Sequence, residues 1–231
     1  MIRKMFLFLA TGALVYLFAF GRTWVVAQSP SVQPFTATMK EVRFDAAGTE
    51  RTTEVYTYAV RSDGSSMKVA NREFPDGKRY AMRIVMDLSQ HKRISIDPAT
   101  QSITTYALPE SVMKKSTDEL SSCVGAGLTA GPKVVGFETV HRSITHGKGS
   151  NAKSIGEEWV APALNCFALK LVTYKHGDTT GPHNEVEAVA VAIGEPDAAL
   201  FQAPTGYVER SPRQVMEILE KISHTGRATP N

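Results

Sequence analysis

Glu185 and Glu187 stand two positions apart in a stretch of strand-like sequence, so both carboxylates project from one face, the spacing of the paired acids of a glycosidase. That chemistry also needs a cleft lined with sugar-binding groups. Both residues precede Val189, Val191 and Ile193 at the same parity, which predicts instead that they mark where an apolar face emerges into water at a sheet rim. Glu157 and Glu158 are adjacent and point oppositely. His141 and His146 fall on opposite faces of a regular strand, and His176 and His183 flank a Gly/Asp/Thr loop without a third ligand at useful spacing. Gly125-Ala-Gly127-Leu-Thr-Ala130 has the dinucleotide spacing, but it follows a helical pattern and ends at Gly131-Pro132, whereas pyrophosphate needs a strand before the loop and a helix after it. Lys148-Gly149-Ser150 lacks the residue order of a phosphate loop. No nucleophile elbow or metalloprotease motif occurs. The expectation is a protein that is not an enzyme, with no catalytic residue, no metal site and no cofactor.

Two cysteines remain, Cys123 and Cys166. What they do depends on the compartment, which the N-terminus addresses. Met1-Ile-Arg-Lys, an apolar run from Met5 to Phe20 and Val25-Val26-Ala27 before Gln28 together read as a secretory signal cut between Ala27 and Gln28. The run is short of the ~20 residues a membrane-spanning helix requires, and an uncleaved inner-membrane anchor is the alternative. The expected location is therefore periplasmic or secreted. There Cys123 and Cys166 have only each other, and a disulfide between them is the expectation, with two buried thiols as the alternative.

The formal charge of +3 and pI near 8.8 do not signal nucleic acid. Arg3, Lys4 and Arg22 lie in the leader, and removing those three from 26 basic residues leaves 23, equal to the 23 acidic ones. The remaining basic residues are dispersed, unlike the concentrated cationic surface that binds phosphate backbones.

Residues 28–231 contain no linker or repeat and read as one domain. From Phe35 to Ile193 apolar residues recur at every second position, the period of half-buried strands. Tyr80, Met82, Ile84, Met86 and Leu88 share one face, with Ala81, Arg83 and Asp87 on the other. Asp63-Gly64 reads as a two-residue hairpin turn, and Pro75-Asp76-Gly77, Asp97-Pro98 and Gly177-Asp178 mark further reversals. Nine or ten strands without intervening helices predict an antiparallel meander large enough to curl. Two helices break the pattern. Pro109–Ser121 carries Val112, Met113 and Leu120 amid charges, and 212–223 opens on Ser211-Pro212-Arg213-Gln214, a capping box with proline at the first helical position.

Between the last strand and that helix runs Glu195-Pro196-Asp197, then Leu200-Phe201, then Pro204-Thr-Gly206-Tyr207. With Gly136-Phe137-Glu138-Thr139-Val140, Glu158-Trp159 and Leu169-Lys170-Leu171 upstream, this resembles uncharacterised exported bacterial proteins over roughly residues 130–208. Those proteins resemble in turn the lipoprotein-localisation (LolA/LolB-like) carriers. The resemblance implies a mainly β (α+β) fold, one strongly curved antiparallel sheet forming an incomplete barrel with helices packed on its concave side, and a hydrophobic ligand.

Met39, Met67, Met82, Met86, Met113 and Met216 are the methionines beyond residue 27, and such adaptable thioethers suit a surface for variable hydrocarbon, with ordinary filling of a dry core as the alternative. The candidate lining of an apolar cavity is therefore Tyr80, Met82, Ile84, Met86, Leu88 and Met113, and the expected ligand is a lipid or the acyl chain of a lipoprotein, bound by a monomer. The alternative is an envelope interaction or structural module that holds another protein by its loops and sheet edges.

Overall fold

Four aspartates shape the first half of the chain. Asp45 Oδ1 accepts from the backbone N–H groups of Ala47 and Thr49, both at 2.9 Å, and Asp63 Oδ1 from that of Ser65 at 2.8 Å. Asp87 Oδ1 accepts from Gln90 N at 2.9 Å, and Asp97 Oδ1 from Ala99 N at 2.9 Å and Thr100 N at 3.2 Å. Each carboxylate replaces a backbone acceptor just where the chain reverses, which is why Asp recurs there. The turns join strands β1 (Phe35–Phe44), β2 (Glu50–Val60) and β3 (Ser66–Glu73), and strands β4 (Arg79–Asp87), β5 (Lys92–Asp97) and β6 (Ser102–Ala107). At Asp63 the loop has three residues rather than two. Arg61 N–H bonds Ser65 C=O at 2.8 Å around Ser62–Gly64, because the Asp63 side chain holds Ser65 N–H and Gly64 adopts φ +83°.

This computed structural model describes residues 32–73, 79–111, 123, 128–147, 153–175 and 178–225. The expected leader with its expected Ala27/Gln28 cut, Met113 and most of the expected 109–121 helix, the Gly125–Gly127 loop and Lys148–Ser150 lie outside the described residues.

The second group of strands is β7 (Thr129–Ala130), β8 (Val140–His146), β9 (Lys153–Ala161), β10 (Phe167–Lys175) and β11 (Asp178–Ile193), followed by β12 (Val208–Glu209) and helix α1 (Pro212–Thr225). All twelve strands belong to one sheet ordered β12-β6-β5-β4-β3-β2-β1-β11-β10-β9-β8-β7. Two antiparallel meanders are thus sewn together by a single long pairing, β1 with β11. The protein is mainly β, with a strongly curved, unclosed sheet and a single C-terminal helix among the described residues. One pairing departs from the antiparallel expectation: β12 lies parallel to β6, Val208 opposite Ser102 and Glu209 opposite Ile103.

Opposed residues of an antiparallel pair share a face. One face carries Phe35, Ala37 and Met39 of β1, Tyr56 and Tyr58 of β2, Leu169 of β10 and Val186 and Ala188 of β11, closed by Leu164 and Val134. The other buries Ala59, Met67, Val85 and Ile96. What covers that second face is the closing segment: Leu200 and Phe201 from the 3-10 turn Ala198–Phe201 pack on it, with Ala203 and Tyr207. Arg83 donates to Ala199 O at 2.8 Å and Leu200 O at 3.2 Å, while Glu195 accepts from Ser62 N at 3.1 Å and Arg61 Nε at 3.3 Å. After β12 the chain turns about the β6 edge, and α1 sets Val215 against the first face, beside Met82 and Thr104. The β4 pattern is thereby explained. Met82 is 3% exposed and Val85 2%, each beneath a different cover.

The disulfide Cys123–Cys166 is present. It packs with Val140, Val160 and Ala168, tying the chain that follows β6 onto β8, β9 and β10. Among the described residues no helix is long and apolar enough to cross a membrane.

Candidate functional site

The register of β2 to β6 sets two neighbouring rows of side chains across the helix-bearing face. Tyr58 lies opposite Lys68, Lys68 opposite Ile84 and Ile84 opposite Ser95. One pleat away Ser66 lies opposite Met86, Met86 opposite Arg93 and Arg93 opposite Tyr106. These rows floor a cavity of about 510 Å³ that Ala107, Leu108 and Pro109 complete as β6 ends. Its volume falls within the ~300–1,000 Å³ of small-molecule sites. Ile84, Met86 and Leu108 form apolar floor and wall, Tyr58 and Tyr106 are aromatic flanks, and Lys68 and Arg93 are exposed at the mouth. Burial pushes the Tyr58 phenol up from its ordinary range, with a hydrogen bond to Ser66 acting the other way, so Tyr58 meets the cavity as a neutral hydroxyl. The Arg93 guanidinium lies over the Tyr106 ring, 5.8 Å from its centre.

Of the residues expected to line an apolar cavity, Ile84 and Met86 do so. Tyr80 turns its hydroxyl to Asp97, donating to Oδ2 at 3.0 Å. Met82 sits between sheet and helix, lining a space of about 70 Å³ with Val215 and Met216. Leu88 lies past the end of β4, where its N–H donates to Ser65 Oγ at 3.1 Å. The methionines do not gather on one surface: Met39 and Met67 fill opposite cores, and Met216 is 49% exposed. The lining that sequence reasoning missed is Tyr58, Ser66, Lys68, Arg93 and Tyr106. Strand-by-strand alternation cannot place these five together, because only the cross-strand register does.

A second cavity of about 480 Å³ opens on the other face, where Phe201 meets Val85, Ile94 and Ile103. It is more polar, and Arg61, which lines it, is already engaged by Glu195 and Asp63.

The paired carboxylates Glu185 and Glu187 both meet one lysine. Lys170 Nζ reaches Glu185 Oε1 at 2.6 Å and Glu187 Oε2 at 3.4 Å, and lies 5.7 Å from the Trp159 ring centre. Hydrogen bonding to Glu185 is the main cause that raises the Lys170 pKa, ahead of the opposing effect of burial. The two glutamates do not share a face with the apolar residues that follow them. Met39 pairs with Ala188 but Thr38 with Ala190, so Val189 is an extra, bulged residue, and beyond it Val191 and Ile193 face the Phe35 side. His141 stacks on Trp159 at 5.0 Å with Nε2 3.8 Å from Glu157 Oε2, while His146 and His183 are exposed and His176 lies outside the described residues. Among the described residues no group of three metal-binding side chains occurs.

No known protein family matches the chain, and no curated protein matches it. Among solved structures it is similar to one reported as the structure of PNGF-II in a C2 space group, at 12% identity and a TM-score of 0.43, covering 82% of this chain and 33% of that one. The chain thus spans about a third of the length of that protein. At this depth the likeness carries no functional argument.

Proposed function

We propose that this chain is an exported, periplasmic binding protein of the lipoprotein-localisation type, which shelters the hydrocarbon of a lipid or a lipoprotein acyl chain. The observation that carries the reading is the cavity of about 510 Å³ floored by Ile84, Met86 and Leu108 between the aromatic rings of Tyr58 and Tyr106. Apolar surface of this kind is stabilised when hydrocarbon displaces its water, at roughly 25 cal/mol per Å² of area covered. The leader pattern of residues 1–27 supports export through a cleaved signal, and the disulfide fits an oxidising compartment.

Ile84→Trp tests the site directly, since a large ring on the floor fills the space that an acyl chain would take. Protein released from the periplasm without detergent is expected to carry lipid adducts in native mass spectrometry, and the purified chain to take up a fluorescent fatty-acyl probe. Ile84→Trp should lower probe affinity by about tenfold or more, the equivalent of losing one or two buried methylene contacts. A wild-type chain that carries no adduct and takes up no probe would remove the reading.

A further inference from the structure

We infer that the ligand of this cavity is an anionic amphiphile, whose carboxylate or phosphate head is received by Lys68 and Arg93 while its chain lies on Ile84 and Met86. The inference rests on the cavity being a binding site, and adds the chemistry of what it selects.

Lys68, opposite Ile84, belongs to β3 and Arg93, opposite Met86, to β5, so they flank β4 from either side, their backbones about 12 Å apart across two strand spacings and one two-residue step. Ile84 and Met86 stand between them on the same face. Many strand cations elsewhere have a carboxylate: Arg43 has Glu41, Arg79 has Glu54, Arg142 has Glu158 and Lys170 has Glu185. Lys68 and Arg93 have none among the described residues, and the described lining contains no Asp or Glu. Among the described residues, two positive charges without a carboxylate partner therefore border an apolar floor.

Next to a low-dielectric surface an arriving anion interacts with such charges more strongly than in bulk water. The Arg93 fork, held against Tyr106, offers paired N–H donors whose geometry suits carboxylate or phosphate, while the Lys68 ammonium adds a mobile point charge. An acyl chain carried on a neutral ester or amide would fill the floor and leave both charges unanswered.

Isothermal titration of the mature chain with three probes of equal chain length separates these cases: dodecanoate for a free fatty acid, dodecyl phosphate for a phospholipid head, and methyl dodecanoate as the uncharged control. Either anion should bind about tenfold or more tighter than the ester, and the difference should shrink at high salt. The tighter of the two anions identifies the source. Lys68→Gln with Arg93→Gln should bring anion affinity down to that of the ester measured on the same variant, whereas Lys68→Arg with Arg93→Lys should retain the preference. Ester and anions binding equally to the wild-type chain would overturn the inference and leave the hydrocarbon site standing. Failure of all three probes to bind would overturn both.

Discussion

Tyr56 and Tyr58 show how a single phenol reports its surroundings. Both lie on the face that carries Phe35 and Met39, and burial is the first cause that raises each. Tyr56 is pushed up to about 12, with Glu41, Tyr58 and Glu54 adding to the effect of burial. A phenol raised in the folded state is neutral in both states below about pH 10, so its contribution to stability is fully present there. Above that value the unfolded chain ionises first, and stability falls until the folded group ionises near 12. Lys170 acts with the same sign, because its raised pKa means that the folded state holds a proton which the unfolded chain has already released. Tyr56→Phe should therefore flatten the loss of stability between about pH 10 and 12 with little change near neutrality, read as urea midpoints across that range. Parallel curves for variant and parent would mean that this phenol is solvated. At this scale the sequence was least informative. Tyr58, Lys68 and Arg93 sit in three separate runs, and nothing within any one run marks it as part of a shared lining.

Helix α1 is an element whose start was legible from four residues. Ser211 N donates to Gln214 Oε1 at 2.9 Å, and Gln214 N donates to Ser211 Oγ at 3.4 Å, the reciprocal exchange that the Ser-x-x-Gln spacing predicts. Ser211→Ala removes a side-chain acceptor at the helix start and should cost about 1 kcal/mol, measured by denaturant unfolding. A change near zero would mean that packing of Val215 and Leu219, 5% and 4% exposed, holds the first turn without its cap. Strands were legible for a related reason: alternation is local, and the aspartate turns punctuate it. The bulge at Val189 was not, because the extra residue follows from how β11 matches β1, a partner some 150 positions away. The same distance hid the cover on Val85. Leu200 and Phe201 looked like part of a connector, yet they close a core on the face that the β4 pattern had assigned to solvent.

At the scale of the molecule, the two meanders have one strand pairing in common, β1 with β11, and the connection between them runs from β6 to β7 through Cys123. Strand pairing holds the meanders together at one side. The disulfide does so through the connection, anchoring it to Cys166 beside the β9–β10 turn across a sequence separation of 43. Closing a loop of that size restricts the unfolded chain by about 4 kcal/mol in the chain-entropy model. Cys123 is 1% exposed and Cys166 9%, so the bridge is also part of a core with Val140 and Val160, and its removal loosens packing as well as topology. Replacing both cysteines by alanine should lower unfolding free energy by about 2–5 kcal/mol. Because Leu108 and Pro109 complete the cavity wall at the start of this same connection, freeing it should also weaken uptake of an acyl probe under conditions where the variant is still folded. Urea unfolding paired with probe titration checks both effects. Lost stability with unchanged uptake would confine the disulfide to holding the meanders together, and unchanged stability would mean that the β1–β11 pairing suffices without it.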